Sequence, residues 1–278
     1  MNAQHSVRVR HLRLFALVVL LVSSVLAGCA GPRLTAARTS TISTEQTRAP
    51  QQDVARNVLH SGYRLSPLRC QLPQAAMDTE GQRRFVGAAL TCVEKLWTSA
   101  LGADGIAVSP VRLAIVDKPT TSCGKEISAT DPAFYCDGTV YWPTEDAYHQ
   151  GWPPGLLDRY LLFVVMHEYG HHIQLFTGIE RTALRANTAG AKSAQAMQTS
   201  RRMEMQAQCL AGMTLSAAEQ GGVLASWAAK QLIAMQSKIA GTDSHGTGAN
   251  SKRWTEAGYR GNSTAACNTW AAAPAEVD

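Results

Sequence analysis

The 278-residue chain carries a formal net charge of +5 and a sequence pI of about 8.9. Arg8, Arg10 and Arg13 lie in the first 28 residues with no acid beside them, so the remaining 250 residues hold only +2. That is too weak a basic field for nucleic acid, while 250 residues suffice for one sizeable domain with its own core.

The three arginines precede an apolar run, Leu14 to Leu26, too short for a comfortable membrane span. Basic start, short apolar stretch and small-residue ending describe an export signal over residues 1–28. The ending itself, Leu26-Ala27-Gly28-Cys29, resembles the lipobox of bacterial lipoproteins. That resemblance implies that Cys29 is acylated and anchors the protein on the extracytoplasmic face of the cell membrane. Residues 29–55 are rich in Ser, Thr, Ala, Arg and Gln, which reads as a flexible tether, leaving 56–278 as the domain.

Six further cysteines fit an oxidising compartment. Six allow fifteen pairings. Nearness along the chain suggests Cys123–Cys136 and Cys70–Cys92, with Cys209–Cys267 by elimination.

In chain order, Phe85, Ala88, Ala89, Cys92 and Leu96 recur at helical spacing within a helix from Glu80 to Leu101. Pro110 to Asp117 reads as a strand. Lys118 to Asp137, with two prolines and two cysteines, reads as a stapled loop, and Thr139 to Trp142 as a short second strand stopped by Pro143. Gly151-Trp152-Pro153-Pro154-Gly155 breaks the chain before a helix running from about Leu156–Asp158 to Thr177, with Gly178 as its C-cap. Ala194 to about Leu215 and Val223 to about Ile239 are helical, separated by a turn at Ala217 to Gly222. A glycine-rich piece from Gly241 to Gly248 leads to a short helix over Ser251–Gly258. Helix, strands, apolar helix and a helical C-terminal half make an α+β arrangement.

The apolar helix contains His167-Glu168-Tyr169-Gly170-His171. Residues four apart share a helix face, so His167 and His171 can aim two imidazoles at one zinc ion. Glu168 lies about 100° round the helix, placed to accept a proton from water. The run Leu161 to Met166 buries the helix on most sides, and histidines and a carboxylate at its end are costly unless they ligate something. A third ligand must come from elsewhere. Glu204, on the next helix, is the best candidate, although spacing alone favours a solvated charge paired with Arg201.

Several segments recur together in one order: His167 to Gln174, Arg202 to Gly212, Ser244 to Gly248, Arg253-Trp254, Gly258-Tyr259 and Cys267 to Trp270, preceded by Phe134 to Asp137 and Val140-Tyr141. Together they resemble a bacterial family of neutral zinc metallopeptidases. The resemblance implies a zincin-like fold, one catalytic zinc on His167, His171 and Glu204, Glu168 as general base, and a peptide or protein substrate. One position departs from it. The family's Glu-x-x-x-Asp reads here Glu204 to Gln208, where an Asp would accept the free N–H of a ligand imidazole. Gln208 can still accept, through a neutral oxygen.

His172, beside a ligand but off its face, reads as a support to the metal shell or a structural residue. His245, in the glycine-rich loop, either donates to a developing oxyanion or binds backbone. Arg253 and Tyr169 are weaker candidates of that kind, and the Thr139–Trp142 strand is the expected sheet edge for an extended substrate. His60 and His149 default to the surface. The rival to a membrane-tethered peptidase is a non-catalytic lipoprotein of the same fold that binds an envelope partner, with Gln208 its best support. A plain helical lipoprotein without metal requires every motif to be coincidence.

Overall fold

The structure, a computed structural model, describes residues 50–76, 78–116, 121–124, 126–128, 131–143, 154–185, 192–239 and 241–278. The leader, Cys29 and the tether up to residue 49 lie outside the described residues, as do His149 and the break at 151–153.

Pro50–Ala55 forms a short helix, α1, five residues before the expected end of the tether. Val54 is buried on it, and the apolar surface so gained orders a segment that composition alone reads as open chain. Thr79–Gly102 (α2) starts at Asp78, whose side chain accepts from Gly81 N–H and so caps an otherwise unpaired donor. Of its expected helical-period residues, Phe85, Ala89 and Leu96 are buried, Ala88 and Cys92 are half-buried, and Val93 joins the core beside them.

Three strands follow: β1 (Arg112–Val116), β2 (Phe134–Cys136) and β3 (Thr139–Pro143). β2 falls in the stretch expected to be all loop. It turns back into β3 through Asp137-Gly138, both with positive φ (46° and 80°), the conformation that tight hairpins require. β1 pairs parallel with β3 on the other side. The order β1-β3-β2 puts β3 in the middle. The expectation that Thr139–Trp142 forms the sheet edge is therefore corrected: both of its sides are already paired. Every β3 residue is buried, as a central strand should be.

The apolar helix is α3, Pro154–Phe176. Leu161, Leu162, Phe163, Val165, Met166, Tyr169 and Ile173 are all buried on it, and it stops before Gly178, whose φ is +76°. Ile179–Arg185 (α4) follows. Ala194–Gln220 (α5) starts from a Ser193 cap and runs straight through Ala217 to Gln220. The expected turn there begins only at Gly221, because alanine, glutamate and glutamine all sustain a helix. Ser226–Gln236 (α6) and Gly248–Gly261 (α7) complete the helical half.

All three expected disulfides form: Cys70–Cys92, Cys123–Cys136 and Cys209–Cys267. The buried tryptophans find partners, Trp97 Nε1 donating to Thr214 Oγ1 and Trp142 Nε1 to Gln82 Oε1, each at 2.9 Å.

α5 and α7 cross at two glycines. A Cβ on Gly212 would lie 2.0 Å from Thr255 O, and one on Gly258 would lie 1.9 Å from Cys209 O. Backbone meets backbone there, so nothing can yield cheaply. Gly258→Ala should cost about 3 kcal/mol by overpacking, whereas Gly102→Ala, which meets nothing within 4 Å, should stay within about 1 kcal/mol of the parent. Urea unfolding of the two variants checks this.

Candidate metal centre

His167 and His171 stand one turn apart on α3 with ring centroids 4.9 Å apart. Glu204 reaches them from α5: its Oε2 lies 3.3 Å from His167 Nε2 and 3.5 Å from His171 Nε2. One ligand atom from each residue falls within a 4.8 Å cluster. What lets α5 come so close is Gly170, between the two histidines. A Cβ there would lie 3.0 Å from Ala207 Cα and 3.1 Å from Ala207 O. Ala207 follows Glu204 by three residues on the same helix face.

The side chains of the three residues are only 14–16% exposed. Glu204 Oε2 is buried, with no hydrogen-bond partner, although it points between two imidazole nitrogens. A divalent cation supplies the partner it lacks, and two imidazole nitrogens plus one carboxylate oxygen form a donor set that zinc accepts while keeping a fourth position open. The residues present fit the metal.

Electrostatics distinguish the four charged or chargeable groups. Burial lifts the Glu168 carboxyl up to about 8, with the charge on His171 pulling against it. Burial also lowers His167. On His171 burial opposes the charged form, but the attraction of Glu204 prevails and holds the imidazole up at about 9. Burial works against Glu204 too, and His171 and His167 overcome it to keep the carboxyl well below its usual range. In the metal-free protein, then, His171 carries the positive charge that pairs with Glu204. A metal on its Nε2 must displace that proton.

The surrounding residues divide clearly. His171 Nδ1 lies 2.9 Å from Gln174 Oε1, so the anchoring acceptor is Gln174, a residue the sequence reading passes over although it stands one turn downstream. Gln208 does not take the expected place at an imidazole: its Oε1 lies 3.3 Å from Thr255 Oγ1, and His167 Nδ1 is buried without a hydrogen-bond partner. His172 is fully buried and faces away from the metal ligands. Its Nδ1 meets Tyr135 OH at 3.0 Å and its Nε2 meets Ser109 O at 2.8 Å, which ties β2 to α3. His245 does reach the site: its Nε2 lies 3.6 Å from Glu204 Oε1, its side chain is 59% exposed, and Thr242 and Ser244 hydroxyls face its Nδ1. Tyr169 is sealed in the core, and Arg253 pairs with Glu276; neither joins the ligand set. His60 is half-buried and hydrogen-bonded to Gln206, so it is not the free surface histidine expected.

Residues 53–270 match a protein family described as "Putative neutral zinc metallopeptidase". The chain is 29% identical over 208 residues to the uncharacterized protein YpfJ of Escherichia coli K12, covering 67% of this chain and 71% of that protein. The YpfJ of Escherichia coli O6:H1 matches with the same identity and coverage. No solved structure matches the chain. A match over most of the sequence, with the His-Glu-x-x-His helix and Glu204 meeting at one point, places this chain in the neutral zinc metallopeptidase family.

Proposed function

We propose that the protein is an exported, lipid-anchored peptidase that hydrolyses peptide bonds with Glu168 as general base. The observation that carries the hydrolytic reading is the meeting of His167, His171 and Glu204 beside a buried carboxyl; the lipobox-like Leu26-Ala27-Gly28-Cys29 supports the anchor. Held by those three residues, zinc supplies Lewis acidity and makes water acidic enough to lose a proton near neutral pH. Burial raises the proton affinity of Glu168 in the metal-free protein, and a cation beside it would favour the carboxylate that can accept a proton from water. It takes the proton from water and returns it to the leaving amine. His245 Nε2, on an exposed loop beside Glu204, donates to the substrate carbonyl oxygen as that oxygen gains charge. β2 supplies an outer strand of the sheet next to α3, which suits it to pair with an extended peptide. Cys29, acylated after removal of residues 1–28, holds the domain at the outer face of the cell membrane, with residues 29–49 as spacer.

A second reading, a non-catalytic binding lipoprotein on the same scaffold, draws on the unpartnered His167 Nδ1 and the neutral residue at 208. Hydrolysis separates the two. Glu168→Gln should keep its zinc by elemental analysis yet lose about 100- to 10,000-fold in turnover of a casein-type substrate; a fully active variant overturns the mechanism, and an inert, zinc-loaded parent favours the binding role.

Gln208→Asp places a carboxylate one turn after Glu204, as in the family's Glu-x-x-x-Asp. It should tighten zinc about 10- to 100-fold, read by competition with a chromophoric chelator. Cys29→Ser should abolish incorporation of labelled palmitate and release the protein from membranes; retention of the label refutes the anchor.

A further inference from the structure

Behind His171, buried side chains continue the hydrogen bonding well beyond the metal ligands. Gln174 and Gln206 are both fully buried. Gln174 Nε2 donates to Met203 O at 2.8 Å and to Gln206 Oε1 at 3.0 Å. Gln206 Nε2 donates to Cys267 O at 3.1 Å and meets His60 Nε2 at 2.8 Å. His60 Nδ1 ends the series 3.3 Å from Ala55 O, at the end of α1.

The protons in this series have one arrangement. Carbonyl oxygens only accept, so Met203 O and Cys267 O fix which end of each carboxamide is nitrogen. Gln174 Oε1 is then an acceptor, and His171 Nδ1 must carry the hydrogen. That leaves His171 Nε2, the atom facing Glu204, as the coordinating nitrogen. At the far end Gln206 donates to His60 Nε2, so the His60 hydrogen sits on Nδ1 and points at Ala55 O. Neither amide can turn over without facing like against like at two or more contacts. His167 has nothing comparable.

We propose that Gln174, Gln206 and His60 form a relay of positioning residues that holds the ring and tautomer of His171 and so sets the metal affinity of the centre. The relay rests on the zinc reading above. It ties a metal ligand on α3 to α5, to the Cys209–Cys267 linkage and to the residues just after α1, elements far apart in the chain.

The test uses the full chain, with zinc affinity read by chelator competition, the visible spectrum of the cobalt(II)-loaded protein, and the melting temperature of the metal-free protein. Gln174→Met removes the acceptor at similar volume and should weaken zinc about 10- to 100-fold. His60→Ala, four groups from the metal, should weaken zinc several-fold and shift the cobalt spectrum, while the lost partner of Gln206 lowers the metal-free melting temperature by only a few degrees. His60→Gln, whose amide oxygen can accept from Gln206, should restore both readouts. Wild-type affinity and spectrum in His60→Ala overturn the relay, as does equal loss in both His60 variants, or a loss that only tracks metal-free stability. Parent protein that takes up neither zinc nor cobalt overturns the relay and the zinc reading together; parent that binds metal beside variants that bind it equally well overturns the relay alone.

Discussion

The approach of α5 to α3 at Gly170 is the constraint on which the centre depends. Two histidines one turn apart are an ordinary product of any helix. What makes them a metal site is a carboxylate brought within 3.5 Å of both from another element. Glu204 is short of side-chain reach for anything but a tightly packed helix pair, and a Cβ at position 170 would press on the Ala207 backbone at 3.0 Å. Any side chain there would push the two helices apart by a few tenths of an ångström. The glycine inside His-Glu-x-x-His is thus a packing requirement of the third ligand, and the otherwise unfavourable glycine in mid-helix has a local reason.

The same closeness creates an electrostatic problem and its resolution. Four chargeable side chains share a poorly hydrated space, where isolated charges cost several kcal/mol each. Burial pushes Glu168 towards its neutral form and His167 likewise, whereas Glu204 and His171 keep their charges by pairing with each other. The metal-free cluster therefore carries no net charge near neutral pH. The buried Glu204 Oε2, held between the two imidazole nitrogens at 3.3 and 3.5 Å, marks where the ion belongs.

What could be read from the sequence follows from how local each feature is. The histidine pair, Glu168 and the limits of α2 and α3 depend on spacing within one helix, and the linear pattern shows them directly. Nearness along the chain gives two cysteine pairs and elimination the third, as the structure has them. Glu204 is different: nothing in the spacing says which helix will face α3, and only the ordered set of family-like motifs points to it. β2 has three residues in a loop rich in turn formers, too short for any alternation to show. β3 does carry a sign in the sequence: Val140-Tyr141-Trp142 is apolar without alternation, which suits a strand covered on both faces. The relay was invisible for another reason. Glutamines and a lone histidine far from the motif acquire meaning only when α1, α5 and the segment at Cys267 converge.

α5 gathers these strands of the structure. Glu204 and Ala207 face α3; Cys209 and Gly212 face Cys267 and α7; Gln206 lies between and bonds to both sides. These positions span about two and a half turns, so the helix is wedged between two neighbours that each demand near-contact of backbones. A shift of one residue in its register would rotate every one of them by about 100°, removing the ligand, the relay and the glycine crossing in a single step. The position of a metal ligand is thus set on both faces of its helix. On one face Gly170 admits it, and on the other the crossing with α7 and the Cys209–Cys267 linkage keep it from withdrawing.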